Sequence, residues 1–284
     1  MAVTTVSDLN SLFNTIYGRA LFVARDMNLM TNLVTNVNAT GWMQRIVAIR
    51  PQVTAISVNE TQDFNAPTTM GLTSHATLTP GEIAAQVVIT KRDLETDPHG
   101  AQAAAQMELG MAMATKIDVD LIGLFSSFST DKGDGAGGTA TFANFAAGVA
   151  VTNYNSKQSD GGVNAVLHPY HWHDLWVELG QPAANMPNFS EVTTQALRDY
   201  WITRMLGNTN IYTSGNITAG TASVSGIFTK SAIYLDTRRA ITNEEPEYDA
   251  SARAWELNTN AGYAFGLVRS TYGVKFTADA SEPS

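Results

Sequence analysis

The chain has 284 residues, enough for one large domain or two small ones with a sizeable core. Charged residues make up only 15 % against 44 % hydrophobic, so much of the surface must be neutral and polar, which costs little to desolvate against another protein. The net charge of -9 argues against sequence-specific nucleic-acid binding, and the lack of cysteine excludes disulfides, thiolate metal ligands and a thiol nucleophile.

The opening residues from Met1 to Thr5 carry no basic patch ahead of an apolar run. No segment approaches the roughly 20 apolar residues of a membrane span, so cytosolic synthesis is expected. Residues 7–35 place Leu9, Leu12, Phe13, Ile16, Ala20, Val23, Met27, Met30 and Val34 at helical spacing, with Ser7 as N-cap and a break near Gly18. This predicts an N-terminal helical arm. From Arg45 the pattern turns β-branched, through Ile46, Val47 and Ile49 to Val53, Ile56 and Val58, with Pro51 bending the strand or holding it at an edge. Its predicted return is residues 83–90, with Ile83, Ala85, Val87 and Ile89 on one face. Between them, residues 59–82 are too long for a tight turn, and an excursion of that length either binds something or is a mobile surface loop. The tip carries Glu60, Asp63, Phe64, Pro67, Met70 and Leu72, which supply apolar anchors and two carboxylates for docking on a neighbour.

Asp97 followed by Pro98 reads as a helix start, because Asp caps orphan amides and Pro at the first helical position loses no hydrogen bond. The predicted helix covers residues 98–128, with Met107, Met111, Ala114, Ile117, Leu121, Leu124 and Phe128 as its apolar stripe. Asp118 and Asp120 fall on its polar side. A helix of that length is a spine through the body. The glycine-rich residues 131–138 then predict a flexible connector.

The second half alternates short helices and strands, as an α+β or mixed domain does. Phe142, Phe145, Ala146 and Val149 mark a helix face, followed by a strand at residues 163–167. Pro169 opens a helix with Trp172, Leu175, Trp176 and Leu179 inward and Gly180 at its end. A further helix is predicted at residues 190–206. Strands follow at 211–213, 227–235, 240–248, 254–259 and 263–277.

The densest group of metal-ligand residues is His168, His171, His173 and Asp174, but His171 and His173 stand two apart on a helix and diverge. Satisfied or solvated histidines are therefore expected, not a zinc hydrolase. Gly133, Gly135 and Gly138 match a dinucleotide fingerprint only formally, since they follow a helix where that loop must follow a strand. Residues 226–231 lack the glycine that a phosphate loop needs before Lys230. Glu245, Glu247 and Asp249 share one strand face, with Glu244 beside them, and like charges there need a basic partner. A solvated face, or an inter-subunit salt bridge of Arg238 or Arg239 with carboxylates such as Glu245 and Glu247, is expected in place of catalysis, so no catalytic site, cofactor or metal is expected.

The order of these parts resembles the tailed-bacteriophage major capsid proteins of the Hong Kong 97-type fold. Local phrases such as Leu78-Thr79-Pro80-Gly81-Glu82 and Lys116-Ile117-Asp118-Val119-Asp120-Leu121 look like that family. The resemblance implies an α+β fold: N-arm 1–41, extended β-hairpin loop 42–92, peripheral domain 93–130 and 236–284 with the spine helix, and axial domain 131–235. It implies a non-enzymatic shell protein that self-assembles into homo-hexamers and pentamers of a virion. Scaffolding, portal and decoration proteins are its implied partners, with enclosed DNA held without sequence-specific binding, no membrane, and assembly in the host cytoplasm. The chain has no lysine before Lys91, which argues against the covalent crosslinking through a loop lysine found in some members. It also lacks the long charged N-terminal region of members with a built-in scaffold, so a separate scaffolding protein is implied. The alternative within the same fold is an encapsulin-type bacterial compartment enclosing an enzyme.

Overall fold

The computed structural model describes residues 28–38, 43–50, single positions between 53 and 71, 74–96, 100–157, 161–180, 204–205 and 209–283. The predicted arm up to residue 27, the Asp97-Pro98 start and most of the predicted 190–206 helix lie outside them.

The described chain opens with one helical turn, α1 (Met30–Leu33), which gives way at Val34 to an extended strand, β1 (Thr35–Asn38). The helical spacing expected to reach residue 35 therefore ends two residues early, because Val34 already has extended backbone and β1 finds a parallel partner in β10 (Ile233–Asn243). Then come β2 (Arg45–Ile49), β3 (Ser74–Leu78), β4 (Gly81–Thr90), α2 (Lys91–Thr96) and the spine α3 (Gly100–Gly123). The spine has 24 residues and tightens into a 3-10 turn at Leu124–Ser127 before turning extended at Phe128.

The strand partner of β2 differs from expectation. β2 pairs antiparallel with β3, in register Arg45 with Leu78 and Ile49 with Ser74. β4 instead joins β12 (Ala254–Leu267) along its whole length, from Gly81 opposite Tyr263 to Thr90 opposite Ala254. Thr79 and Pro80 turn the chain between the two sheets, so neighbouring strands in sequence serve different partners.

A five-stranded sheet is built around β12, with β10 and β11 (Glu247–Asp249) along one edge, β4 along the other, and β1 outside β10. The spine packs on the face of this sheet where Ile89 and Leu257 meet Ala105 and Leu109. The buried stripe of α3 is Ala105, Leu109, Met113, Leu121 and Ile122, continuing into Phe125 and Phe128, whereas Met107 is 56 % exposed. The buried stripe differs from the expected one in the first half because Met107, Leu109, Met111 and Met113 offer bulky apolar side chains on more than one face, and packing on β4 and β12 selects Leu109 and Met113.

A six-stranded sheet runs β5 (Thr130–Asp131), β13 (Gly273–Ala278), β9 (Ser223–Phe228), β6 (Val163–Leu167), β8 (Thr209–Thr213) and β7 (Arg204–Met205). Helices α4 (Phe142–Ser156) and α5 (Pro169–Gly180) match the predicted segments, and Phe145, Val149, Leu175, Leu167 and Phe276 share one core. A second core joins the sheets through Leu121, Phe125, Phe128, Phe228, Ile233 and Tyr263, and Met30, Leu33 and Val34 close it.

Residues 131–138 are held at several points, contrary to the flexible connector expected. Asp131 accepts from Gly133 N–H at 2.9 Å and from Thr277 Oγ1 at 2.7 Å, and Asp134 accepts from Thr141 N–H at 3.0 Å and from Asn144 Nδ2 at 2.7 Å. Gly133 lies so close to the Thr277 backbone that a Cβ would overlap it, so glycine here serves close approach, not freedom.

Candidate functional site

The β2/β3 hairpin is anchored at its root. Arg45, the first residue of β2, donates through Nε to Asp236 Oδ2 at 2.7 Å and through Nη2 to the Asn38 carbonyl at 2.8 Å. The Asp236 side chain is fully buried on β10, so this pair joins the hairpin to the large sheet at a site shielded from water on one side. Across the hairpin, Leu78 is buried against Gly266 of β12, where a Cβ would collide with the Leu78 side chain. Among the described residues of this excursion away from the root, several apolar side chains are uncovered. Met43, Ile46, Val53 and Met70 are each more than half exposed. Single apolar residues at a surface mean little, but a group of them on one excursion marks an interaction surface.

Of the loop-tip candidates, Glu60 is exposed in a turn and Met70 is exposed with its carbonyl accepting from Arg50 Nη1 at 3.2 Å. Asp63, Phe64 and Leu72 lie outside the described residues.

The candidate salt-bridge residues separate into two places. Arg239 pairs with Glu82 of its own chain, reaching across the strand at Gly262. Arg238 is exposed beside it at an irregularity of β10, while Glu245 is exposed past the end of that strand and Glu247 is exposed at the start of β11. Among the described residues Arg238, Glu245 and Glu247 have no ion-pair partner. Beside Glu247, Tyr248 and Trp255 pair across β11 and β12 with ring centroids 5.1 Å apart, both more than a third exposed. Trp255 also borders a cavity of about 230 Å³ with Ile89, Leu94, Pro246 and Leu257. Sequence reasoning missed this aromatic corner, although Trp255 at the start of a predicted strand was its visible signal.

The histidine cluster is a closed hydrogen-bond chain. His168 N–H donates to Ser225 Oγ at 3.1 Å, Ser225 lies 2.9 Å from His171 Nδ1, and His171 Nε2 lies 3.2 Å from the Ala278 carbonyl. A carbonyl can only accept, so Nε2 carries the proton and Nδ1 accepts from the serine hydroxyl. Burial holds both His171 and His168 below their ordinary value, which favours this neutral form. Against this, the Ala278 bond and the Asp174 and Asp279 carboxylates pull His171 upward. His173 faces outward and meets Asp174 at 3.5 Å. Among the described residues no three potential ligands converge on a point that could hold a metal ion.

The carboxylates of the spine do structural work that their expected polar-side placement did not suggest. Asp118 is fully buried and accepts from Leu29 N–H and Met30 N–H through Oδ1, both at 2.9 Å, and from Asn216 Nδ2 through Oδ2 at 2.8 Å. Asp120 accepts from Tyr263 Oη at 2.6 Å and pairs with Lys116 at 2.6 Å. Burial, and then the bond to Asp120, pushes the Tyr263 phenol upward, so it stays a donor. No helix of the described residues is long and apolar enough to cross a membrane.

No protein-family model matches the chain, and no curated protein is similar to it in sequence. Solved structures do match over nearly its full length. The capsid of cyanophage P-SCSP1u superposes with a TM-score of 0.67 at 14 % identity, covering 99 % of this chain and 96 % of its own. The capsid of a native GTA particle gives 0.70 at 10 % identity over 93 % and 94 %. The capsid of Myoviridae phage XM1 gives 0.63 at 10 % identity over 98 % and 99 %. Agreement end to end at such low identity is agreement of fold: this chain has the α+β, Hong Kong 97-type fold of the tailed-phage major capsid proteins.

Proposed function

We propose that this chain is the major capsid protein of a tailed double-stranded DNA phage, assembling into hexamers and pentamers of an icosahedral head around the genome. The observation that carries the reading is the hairpin, rooted by Arg45 on a buried carboxylate yet presenting exposed Met43, Ile46, Val53 and Met70, on a chain whose whole length matches phage capsids. A monomer gains nothing from such an excursion, whereas a lattice uses it to reach the next subunit. In this assignment residues 1–41 are the N-arm, 42–92 the extended loop, 93–130 with 236–284 the peripheral domain, and 131–235 the axial domain. Scaffolding and portal proteins are its expected partners, assembly takes place in the host cytoplasm, and an acidic chain leaves the enclosed DNA free to be packed and released.

At the loop tip, Phe64, Met70 and Leu72 serve as anchors on the adjacent subunit, with Glu60 and Asp63 meeting its basic residues. Electron microscopy of the purified protein is the test of the assignment. Closed shells or hexameric rings are expected, and uniform monomers or dimers would overturn it; DNA inside particles from infected cells separates a phage head from an enzyme-filled compartment. For the anchors, the Phe64→Ala, Leu72→Ala double variant is expected to weaken shells strongly, since apolar anchors at an interface each contribute about 2 kcal/mol or more. Shells with parental resistance to denaturant would remove the anchor roles.

A further inference from the structure

β4 lies at an edge of the five-stranded sheet. Among the described residues it pairs with β12 alone, through an unbroken register from Gly81 to Thr90, so alternate residues along its ten positions turn backbone N–H and C=O outward. Such an edge is a template for another strand, and proteins that keep one free shorten it, bulge it or place lysine or proline on it. β4 has none of these devices over its ten residues. Its one charged residue, Glu82, already pairs with Arg239 of the same sheet.

The side chains of β4 suit one partner strand. Glu82, Ala84, Gln86, Val88 and Thr90 are exposed on one face, and Ile83, Ala85, Val87 and Ile89 turn to the other, where the spine packs. A second β4 laid antiparallel keeps both faces matched when Gln86 stands opposite Gln86. Ala84 then faces Val88, Ala85 faces Val87, Ile83 faces Ile89 and Glu82 faces Thr90. Each alanine meets a larger valine, and the two Glu82 carboxylates are kept at opposite ends of the pair.

We propose that this edge is an interface between two copies of the chain, β4 against β4 about a twofold axis through Gln86, joining their sheets into one. The contact is isologous, since the same edge supplies both sides, and it closes after two copies. Backbone hydrogen bonds supply the attraction, and the matched faces fix the register. An unrelated extended segment would make the same backbone bonds without the size matching on both faces, so the second copy is the occupant that the strand's own sequence selects. The inference does not rest on the capsid assignment, because the contact needs two copies only.

Because the protein contains no cysteine, a single introduced thiol reports the register. Gln86→Cys puts two thiols directly across the axis, with Cα atoms about 5 Å apart and within disulfide reach. Ala84→Cys and Val88→Cys each hold their own pair roughly 14 Å apart, out of reach, yet bring one another face to face when the two variants are co-produced. All three positions are exposed, so each variant is expected to fold, which circular dichroism verifies. Full-length protein purified in reductant is then oxidised and run on non-reducing gels. The expected result is a covalent dimer from Gln86→Cys, formed at least about tenfold faster than from either other variant alone, and a dimer from the co-produced Ala84→Cys and Val88→Cys chains. No dimer from Gln86→Cys would overturn the proposal and leave the edge to another occupant, as would a co-produced pair that does not cross-link. Equal dimer formation by all three variants alone would mean random collision and equally overturn it.

Discussion

At Asp118, two backbone amides and the Asn216 side chain converge on a carboxylate with no solvent exposure. Truncation would leave three donors facing a void, and hydrogen bonds to a charged group are worth more than neutral ones. Asp118→Ala is expected to lower the unfolding free energy by about 3 kcal/mol in urea titrations, with Asp118→Asn retaining part of it. At His171 the sign of the pH dependence follows from burial, which holds the folded-state imidazole below its ordinary 6.5. Across that interval the unfolded chain binds the proton more readily, so stability is complete above about pH 6.5 and falls as pH drops toward the lower folded value. Protonation would also put N–H on Nδ1, so the link from α5 to β9 would reverse, with the Ser225 hydroxyl rotating to accept. Denaturation midpoints should fall between pH 7 and 5, and His171→Gln should flatten that part of the curve. A parental slope in the variant would assign the effect to another group.

The β2/β3 hairpin depends on its root. Arg45 is partly exposed while Asp236 is fully buried, and Asp236 Oδ1 has no partner among the described residues, so removing the guanidinium strands a whole carboxylate away from water. Arg45→Ala is expected to cost about 2 kcal/mol, below the figure for a fully buried pair because water screens the arginine side. It should also increase protease cleavage between residues 50 and 73, and unchanged cleavage would mean that Leu78 alone holds the root. The elements that sequence made legible were those with internal signals: the long spine, the α4 and α5 segments framed by Phe142 and Pro169, and the β6 strand. Pairing was less legible, because β3, Ser74-His75-Ala76-Thr77-Leu78, lacks β-branched apolar residues, and the stronger pattern of β4 drew the expected partner of β2. The sequence marked Arg238, Arg239, Glu245 and Glu247 as charges needing partners, and Glu82 answers only for Arg239, from a distant strand. Asp118 was misplaced for a related reason: its partners lie 88, 89 and 98 positions away, and two of them are main-chain amides that no side-chain pattern announces.

The whole molecule presents separate exposed charges of opposite sign along one sheet edge, Arg238 at an irregularity of β10, Glu245 past its end and Glu247 at the start of β11. Such a pair cannot close within one chain when the strand between them is extended, since seven to nine residues span roughly 25 Å. Between copies placed head to tail around a ring, however, Arg238 of one can meet the acidic end of the next, and the same contact repeats until the ring closes. The surface is acidic overall, with 26 Asp plus Glu against 17 Lys plus Arg, so an unpaired arginine there is scarce and its position selective. Rim charges set register and association rate more than affinity, and their effect fades with salt. Arg238→Glu should therefore slow assembly at low salt by about tenfold or more, with a smaller deficit near 1 M salt. Glu247→Arg should do the same, and the two together, which restore attraction with exchanged signs, should recover much of the parental rate. Light scattering during assembly reads all three. If the double variant is as slow as the sum of the singles, the two residues do not meet and the salt-bridge reading fails.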